Sequence, residues 1–165
     1  IHFDDLQDRI KNVASAFKEH ALRKITLKNI QDREYEAILN SIAGELKNLT
    51  PTDFDSKLGE VITRHRYLEC IYILDRSGIQ VSNTVCNQNV LSTCARPTFR
   101  PAPRGTDHSL KDYYYLLAGT GMKKCVTEPY ISLASGNLCT TISTYFENGF
   151  DNCFILCMDI SKAKR

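Results

Sequence analysis

Leu68-Glu69-Cys70-Ile71-Tyr72-Ile73-Leu74-Asp75-Arg76-Ser77-Gly78 is the stretch on which the fold turns. Its first part is rich in β-branched and aromatic residues and reads as a strand. Asp75-Arg76-Ser77-Gly78 is turn chemistry, and residues 79–85 continue as a second strand, so the pair predicts a hairpin. Everything before it has a different period. Leu6, Ile10, Val13, Phe17 and Ala21 recur every three or four residues, the apolar stripe of an amphipathic helix. The stripe falters over 24–29 and restarts at Tyr35, Ile38, Leu39, Ile42, Leu46 and Leu49, a second helical segment that Thr50-Pro51 ends. A shorter helix follows, with Phe54, Leu58, Val61 and Ile62 as its apolar face and Thr52 or Asp53 as N-cap.

Downstream, residues 86–105 form a long loop holding Pro97, Pro101 and Pro103 with Arg96, Arg100 and Arg104. A loop of that length inside a compact domain is usually functional or mobile. Residues 109–118 read as a short helix that Asp107 or Ser109 caps, with Asp112 three residues past Ser109 as in a capping box. Gly119 and Gly121 stop it. Three strands close the chain, over 125–132, 138–146 and 153–160, joined by the hairpin signals Ser135-Gly136-Asn137 and Asn148-Gly149. The expected architecture is α+β: a five-stranded antiparallel sheet with a long N-terminal helix and a short crossover helix packed on it. At 165 residues this is one domain, 1–165, with a helical region over 1–66 and the sheet region over 67–160.

Composition excludes several classes. The hydrophobic fraction of 42% and charged fraction of 24% are those of a globular chain. Lys+Arg 21 against Asp+Glu 19 leaves +2, too little basic excess for a nucleic-acid partner. No apolar run approaches the roughly 18 residues of a membrane span. The motifs of P-loop, zinc-protease and serine-hydrolase chemistry are missing, and His2, His20, His65 and His108 are scattered, so catalysis is not expected.

Seven cysteines are many. Cys70, Cys125, Cys139, Cys153 and Cys157 sit in or beside apolar strand-like segments, where a free thiol behaves as a small hydrophobe. Cys86 and Cys94 flank a short loop and are the candidate disulfide or redox pair. Cys153 and Cys157 stand alone without a nearby histidine, which is a poor zinc signal, and no metal or cofactor is expected. Unpaired thiols favour a reducing compartment.

One polar and aromatic concentration remains. Lys111, Tyr114 and Tyr115 fall at i, i+3 and i+4 on the crossover helix, with Tyr113 one step around. Tyr130 and Ser132 share a face of the third strand, and Asp159 ends the last one. A cation, several phenols and a carboxylate around a cavity suit a small polar or zwitterionic ligand. The alternative is that the tyrosines are amphipathic core and Lys111 is solvated.

Residues 67–159 resemble the Cache (PAS-like) sensor domains of bacterial receptors. Tyr72–Ser82 is similar to that family's first hairpin, and Thr106–Tyr114 to its helix motif. Glu128-Pro129-Tyr130-Ile131-Ser132, Cys139–Ser143 and Cys157–Ile160 are similar to its later strands. The resemblance implies a ligand-binding set of Lys111, Tyr113, Tyr114, Tyr130, Ser132 and Asp159, with Asp107 opening the helix motif. Lys111 replaces the usual arginine and Ser132 an aspartate of the amino-acid binders, so the expected ligand is a small carboxylate or another polar metabolite. It further implies a homodimer formed through the N-terminal helix and an output domain outside this chain: a histidine kinase, a chemoreceptor or a cyclic-di-GMP enzyme. Family grounds place the domain in the periplasm, as the ectodomain of an inner-membrane receptor, whereas the thiols argue for the cytoplasm. Two other roles stay open, a dimerisation module that binds no ligand and a redox sensor working through Cys86 and Cys94.

Overall fold

The strand predicted from Leu68 onward is β1 (Leu68–Leu74), and it lies inside one antiparallel sheet. The computed structural model describes residues 3–91 and 98–161 and divides into two compact units, Ile1–Asn40 and Ser41–Arg165. The first unit is helix. It belongs to α1 (Phe3–Leu46), which runs without the interruption expected over 24–29. The reason is local: no proline or glycine occurs between Phe3 and Ala43, so nothing breaks the backbone ladder where the apolar stripe fades. Exposed i,i+4 pairs Arg9–Asp5 and Arg23–Glu19 line its flank. Leu6, Ile10, Val13, Phe17 and Ile25 stand exposed along it.

In the second unit, α2 (Phe54–Ile62) buries Phe54, Leu58, Val61 and Ile62, as its period predicted. Asp53 holds the N-cap position, although its side chain caps no backbone amide. After β1 come β2 (Val85–Cys86), α3 (Gln88–Leu91), α4 (Asp112–Thr120), β3 (Lys124–Val126), β4 (Tyr130–Ile131), β5 (Leu138–Glu147) and β6 (Cys153–Ser161). The strand order is β2-β1-β6-β5-β3, with β4 also paired to β5. Alternation sorts the two faces. Ile71, Ile73, Ile142, Phe146, Leu156 and Met158 fall on one, and Phe54 of α2 meets Phe146 and Phe154 edge-on at 6.1 and 5.3 Å. Cys70, Tyr72, Thr141, Ser143, Cys157 and Asp159 fall on the other. There α4 packs Tyr113 and Leu117 against Tyr72, Leu74, Ile155 and Cys157.

Three expected elements take different forms. The strand over 79–85 reduces to β2 and two isolated bridges, Leu74 with Gln80 and Ile79 with Asp107, because its inward residues are polar. The Ile73 amide donates to the Ser82 hydroxyl instead of a ladder carbonyl, and Gln80 pairs its backbone with Gly105 and Thr106 of the long loop. The strand over 125–132 splits into β3 and β4 at Glu128-Pro129, since proline has no amide to donate to the ladder; the sheet therefore has six strands where five were expected. The crossover helix starts at Asp112, later than predicted. Asp107 accepts the Ser109 amide in a turn before it, and Lys111 holds the N-cap with an extended backbone. Gly121 closes it in the left-handed conformation at φ 68°.

Gly78 shows how closely the first turn meets this layer. Its φ is +84°, and a Cβ there would lie 3.1 Å from the Ser109 backbone and from the Tyr114 ring. Among the described residues, no helix is long and apolar enough to cross a membrane.

Candidate functional site

The polar face of the sheet does not close against α4 along its whole length. Between α4, the loop residues 100–108 and the segment 127–134 lies a cavity of about 760 Å³. It is lined by Lys111, Tyr113, Tyr130, Ser132, Asp159 and Asp107, six of the seven predicted ligand residues. The seventh, Tyr114, is placed elsewhere: its hydroxyl donates to the Arg76 carbonyl at 2.9 Å, so it ties α4 to the first turn. Arg100, His108, Tyr72, Thr84 and Glu128 line the cavity without having been singled out for it.

Two hydrogen-bonded chains build its buried side. In one, the Tyr130 hydroxyl meets Thr141 Oγ1 at 2.5 Å, and Thr141 donates to Asp159 Oδ1 at 2.7 Å. Asp159 is buried, and that burial lifts its carboxyl to about 7, against the opposing hydrogen bonds from Thr141 and Tyr72. In the other, Gln80 directs its amide nitrogen at the carbonyls of Ser82 and Ala102 and at Thr84 Oγ1. Its Oε1 is left to accept from His108 Nε2 at 2.8 Å, which leaves His108 Nδ1 to accept from the Tyr113 hydroxyl at 2.6 Å. The tautomer is thereby fixed, and burial pushes the imidazole down to about 4, with Lys111 adding to the effect. Tyr72 stacks on His108 at 5.4 Å, and burial raises the Tyr72, Tyr113 and Tyr130 phenols, which stay protonated.

The rim is different. Lys111 and Arg100 are exposed there, and among the described residues neither makes an ion pair. The Arg100 amide donates to the Leu133 carbonyl, which pins the loop to the segment after β4. Asp107 spends one oxygen on the Ser109 amide, and that bond holds its carboxyl below the usual range. The Ser132 hydroxyl accepts the Ala134 amide, so it also shapes the β4–β5 turn. Among the described residues no cluster of histidine, cysteine or acidic side chains has the makings of a metal site.

No protein-family model and no curated sequence relative matches the chain. Solved structures do. YkuI of Bacillus subtilis, a protein with an EAL domain solved with its substrate c-di-GMP and calcium, aligns at TM-score 0.69 and 20% identity over 99% of this chain and 40% of its own. The sensory domain of the Campylobacter jejuni chemoreceptor Tlp3 with isoleucine bound aligns at TM-score 0.56 and 15% identity over 84% of this chain and 56% of its own. The extracellular domain of the putative histidine kinase rpHK1S-Z16 aligns at 0.51 and 19%, over 78% and 49%. The chain shares the fold of these solved domains. It spans less than two thirds of the length of each of these structures.

The cavity was only partly visible in the sequence. Lys111 had helical spacing with Tyr114 and Tyr115 as a signal, Tyr113 a place one step around and the family's helix motif, and Tyr130 and Ser132 strand alternation. Arg100 and His108 lie in irregular chain, where no period marks a side chain's direction. The one available hint was the density of arginine and proline in 96–104. Of the proposed Cys86–Cys94 pair, Cys94 lies outside the described residues, and the thiol facing Cys86 is that of Cys70.

Proposed function

We propose that this chain is the ligand-binding sensory part of a longer signal-transduction protein. Its ligand is a small polar molecule with a carboxylate, held by Lys111 and Arg100 at the rim while the body lies along Tyr113, Tyr130 and Asp159. The observation that carries the reading is the cavity itself: 760 Å³ between two cations that make no ion pair among the described residues and a buried carboxyl. A core with no ligand to hold would fill such a volume with side chains. Lysine supplies a point charge with rotatable donors, which suits several carboxylate poses rather than one bidentate geometry. Chemistry is assigned to an output domain outside the chain, a histidine kinase, a chemoreceptor or a cyclic-di-GMP enzyme, and an extracytoplasmic position agrees with neighbours such as the rpHK1S-Z16 extracellular domain. Ligand would draw α4 and the 100–108 loop together and bias the lever α1.

A homodimer through α1 is part of this reading. Leu6, Ile10, Val13 and Phe17 are 48–75% exposed in a helical stripe, which favours burial against a second copy. The same stripe favours the alternative, a dimerisation module with no ligand. Thermal unfolding separates the two. A panel of small carboxylates, amino acids and amines should contain a compound that raises the melting temperature by roughly 5–10 °C at a hundredfold excess over its Kd. Lys111→Ala should lose that rise while its ligand-free melting temperature stays within a few degrees of the parent. A panel without effect, beside a dimer that dissociates on dilution, would replace the sensor by the dimerisation module.

A further inference from the structure

Cys70 and Cys86 face each other across the β1–β2 ladder, paired in register, with their sulfurs 2.8 Å apart. The Asn87 amide donates to the Glu69 carbonyl, so the neighbouring pair 69/87 is the hydrogen-bonded one and 70/86 is not. At such a site opposed Cα atoms come within about 4.5 Å and their side chains converge, inside the range a disulfide spans. We propose that Cys70 and Cys86 are an oxidation site, closing a reversible cross-strand disulfide that staples edge strand β2 to β1.

The surroundings support it. β2 has two residues and one ladder neighbour, so it is held weakly by backbone pairing alone. The chain after it is anchored by Asn87, whose amide reaches the Ile62 and His65 carbonyls at 3.4 Å each, long for hydrogen bonds. Cys70 is buried and Cys86 half-buried, so an oxidant reaches Cys86 first. The Cys70 thiol is held protonated by its hydrogen bond to Cys86 and by burial, which assigns it the second step.

The oxidant is a small-molecule disulfide or a thiol–disulfide oxidoreductase, written R–S–S–R. The Cys86 thiolate attacks one of its sulfurs, forming a mixed disulfide and releasing one RS⁻. Cys70 then loses its proton and attacks the Cys86 sulfur, releasing the second RS⁻. Two protein thiols are oxidised, one R–S–S–R is reduced to two RSH, and the two thiol protons end on those products. The five other cysteines need not take part, so a protein rich in free thiols still carries an oxidised form.

Peptide mapping of the 165-residue chain tests this, after incubation with oxidised glutathione and alkylation of the remaining thiols. The expected result is a linked peptide pair containing Cys70 and Cys86, removed by dithiothreitol. The closed loop should raise the melting temperature of the oxidised form about 6–12 °C above the reduced form. Cys86→Ser should abolish both the link and the rise, and Cys94→Ser should leave both. Linkage of Cys86 to Cys94, a mixed disulfide with glutathione that never resolves, or full alkylation after oxidant would each overturn the assignment. None of these outcomes depends on ligand binding in the cavity.

Discussion

The two faces of the central sheet are made by alternate residues of the same strands, yet they do different work. One carries Ile71, Ile73, Ile142, Phe146, Leu156 and Met158, filled on the β5–β6 side by Phe54 of α2. The other carries Tyr72, Thr141, Ser143, Cys157 and Asp159 and keeps the 760 Å³ cavity beneath α4. Stability is drawn from the first, where mostly apolar surface is removed from water and Thr140 and Thr144 are the polar exceptions. The second keeps its polar groups buried by bonding them to one another: Ser143 to the Tyr113 carbonyl, Thr141 to Asp159, His108 between Gln80 and Tyr113. A period of two lets one strand set serve both, because a residue's face follows from the parity of its position.

The comparison breaks most visibly on the apolar side. Phe54→Ala should cost about 3–5 kcal/mol in urea unfolding, because its ring is wholly buried against Phe146 and Phe154. A loss below about 1 kcal/mol would mean that α2 contributes little to the core.

The polar face should show its character in pH dependence. Asp159 is lifted from its ordinary 3.8 to about 7, so the folded chain holds a proton that the unfolded chain releases. Its stabilisation is complete below pH 3.8 and is lost as pH rises through about 7. His108 is pushed from 6.5 to about 4, so its stabilisation is complete above pH 6.5 and is lost as pH falls through about 4. Between those limits the two slopes oppose, and the parent chain's unfolding free energy should vary little. Asp159→Asn should unmask stability that falls on acidification over this window, and His108→Gln stability that rises. Identical pH profiles for the parent and both variants would remove these groups from the account.

A smaller effect sharpens the rule from the other direction. Thr140, paired with Ile160, has a buried hydroxyl that finds no partner among the described residues. Thr140→Val keeps the shape and removes that group, so it should leave stability unchanged or raise it by up to about 1 kcal/mol in thermal unfolding. A clear loss would reveal a hidden hydrogen bond.

How much of this was legible in sequence follows from what carries each feature. β1, β5, β6 and α2 lay in repeating patterns, and their positions agree with the structure within a residue or two. The continuity of α1 was hidden, because a fading apolar stripe marks a change of surroundings and not a break in backbone bonding. Residues 125–132 read as one strand in spite of Pro129, and only the pairing of β5 with β3 before it and with β4 after it shows the break. Gln80 and His108 are joined across 28 residues, and Gln80 and Ala102 across 22. No local period encodes a bond of that range. Cavity residues with a local pattern or motif, such as Tyr113, Tyr130 and Asp107, could therefore be named from sequence, and Arg100 and His108 could not.

The most direct test of the account is to locate ligand on one face. Backbone amide resonances of the chain should be followed while a stabilising compound from the carboxylate and amino-acid panel is added. Shifts concentrated at His108, Lys111–Tyr113, Thr127 and Ser132–Ala134, with α2 unmoved, are the predicted result. Shifts confined to α1 or to the α2 side, or a spectrum no compound moves, would contradict the claim that the polar face is a ligand site.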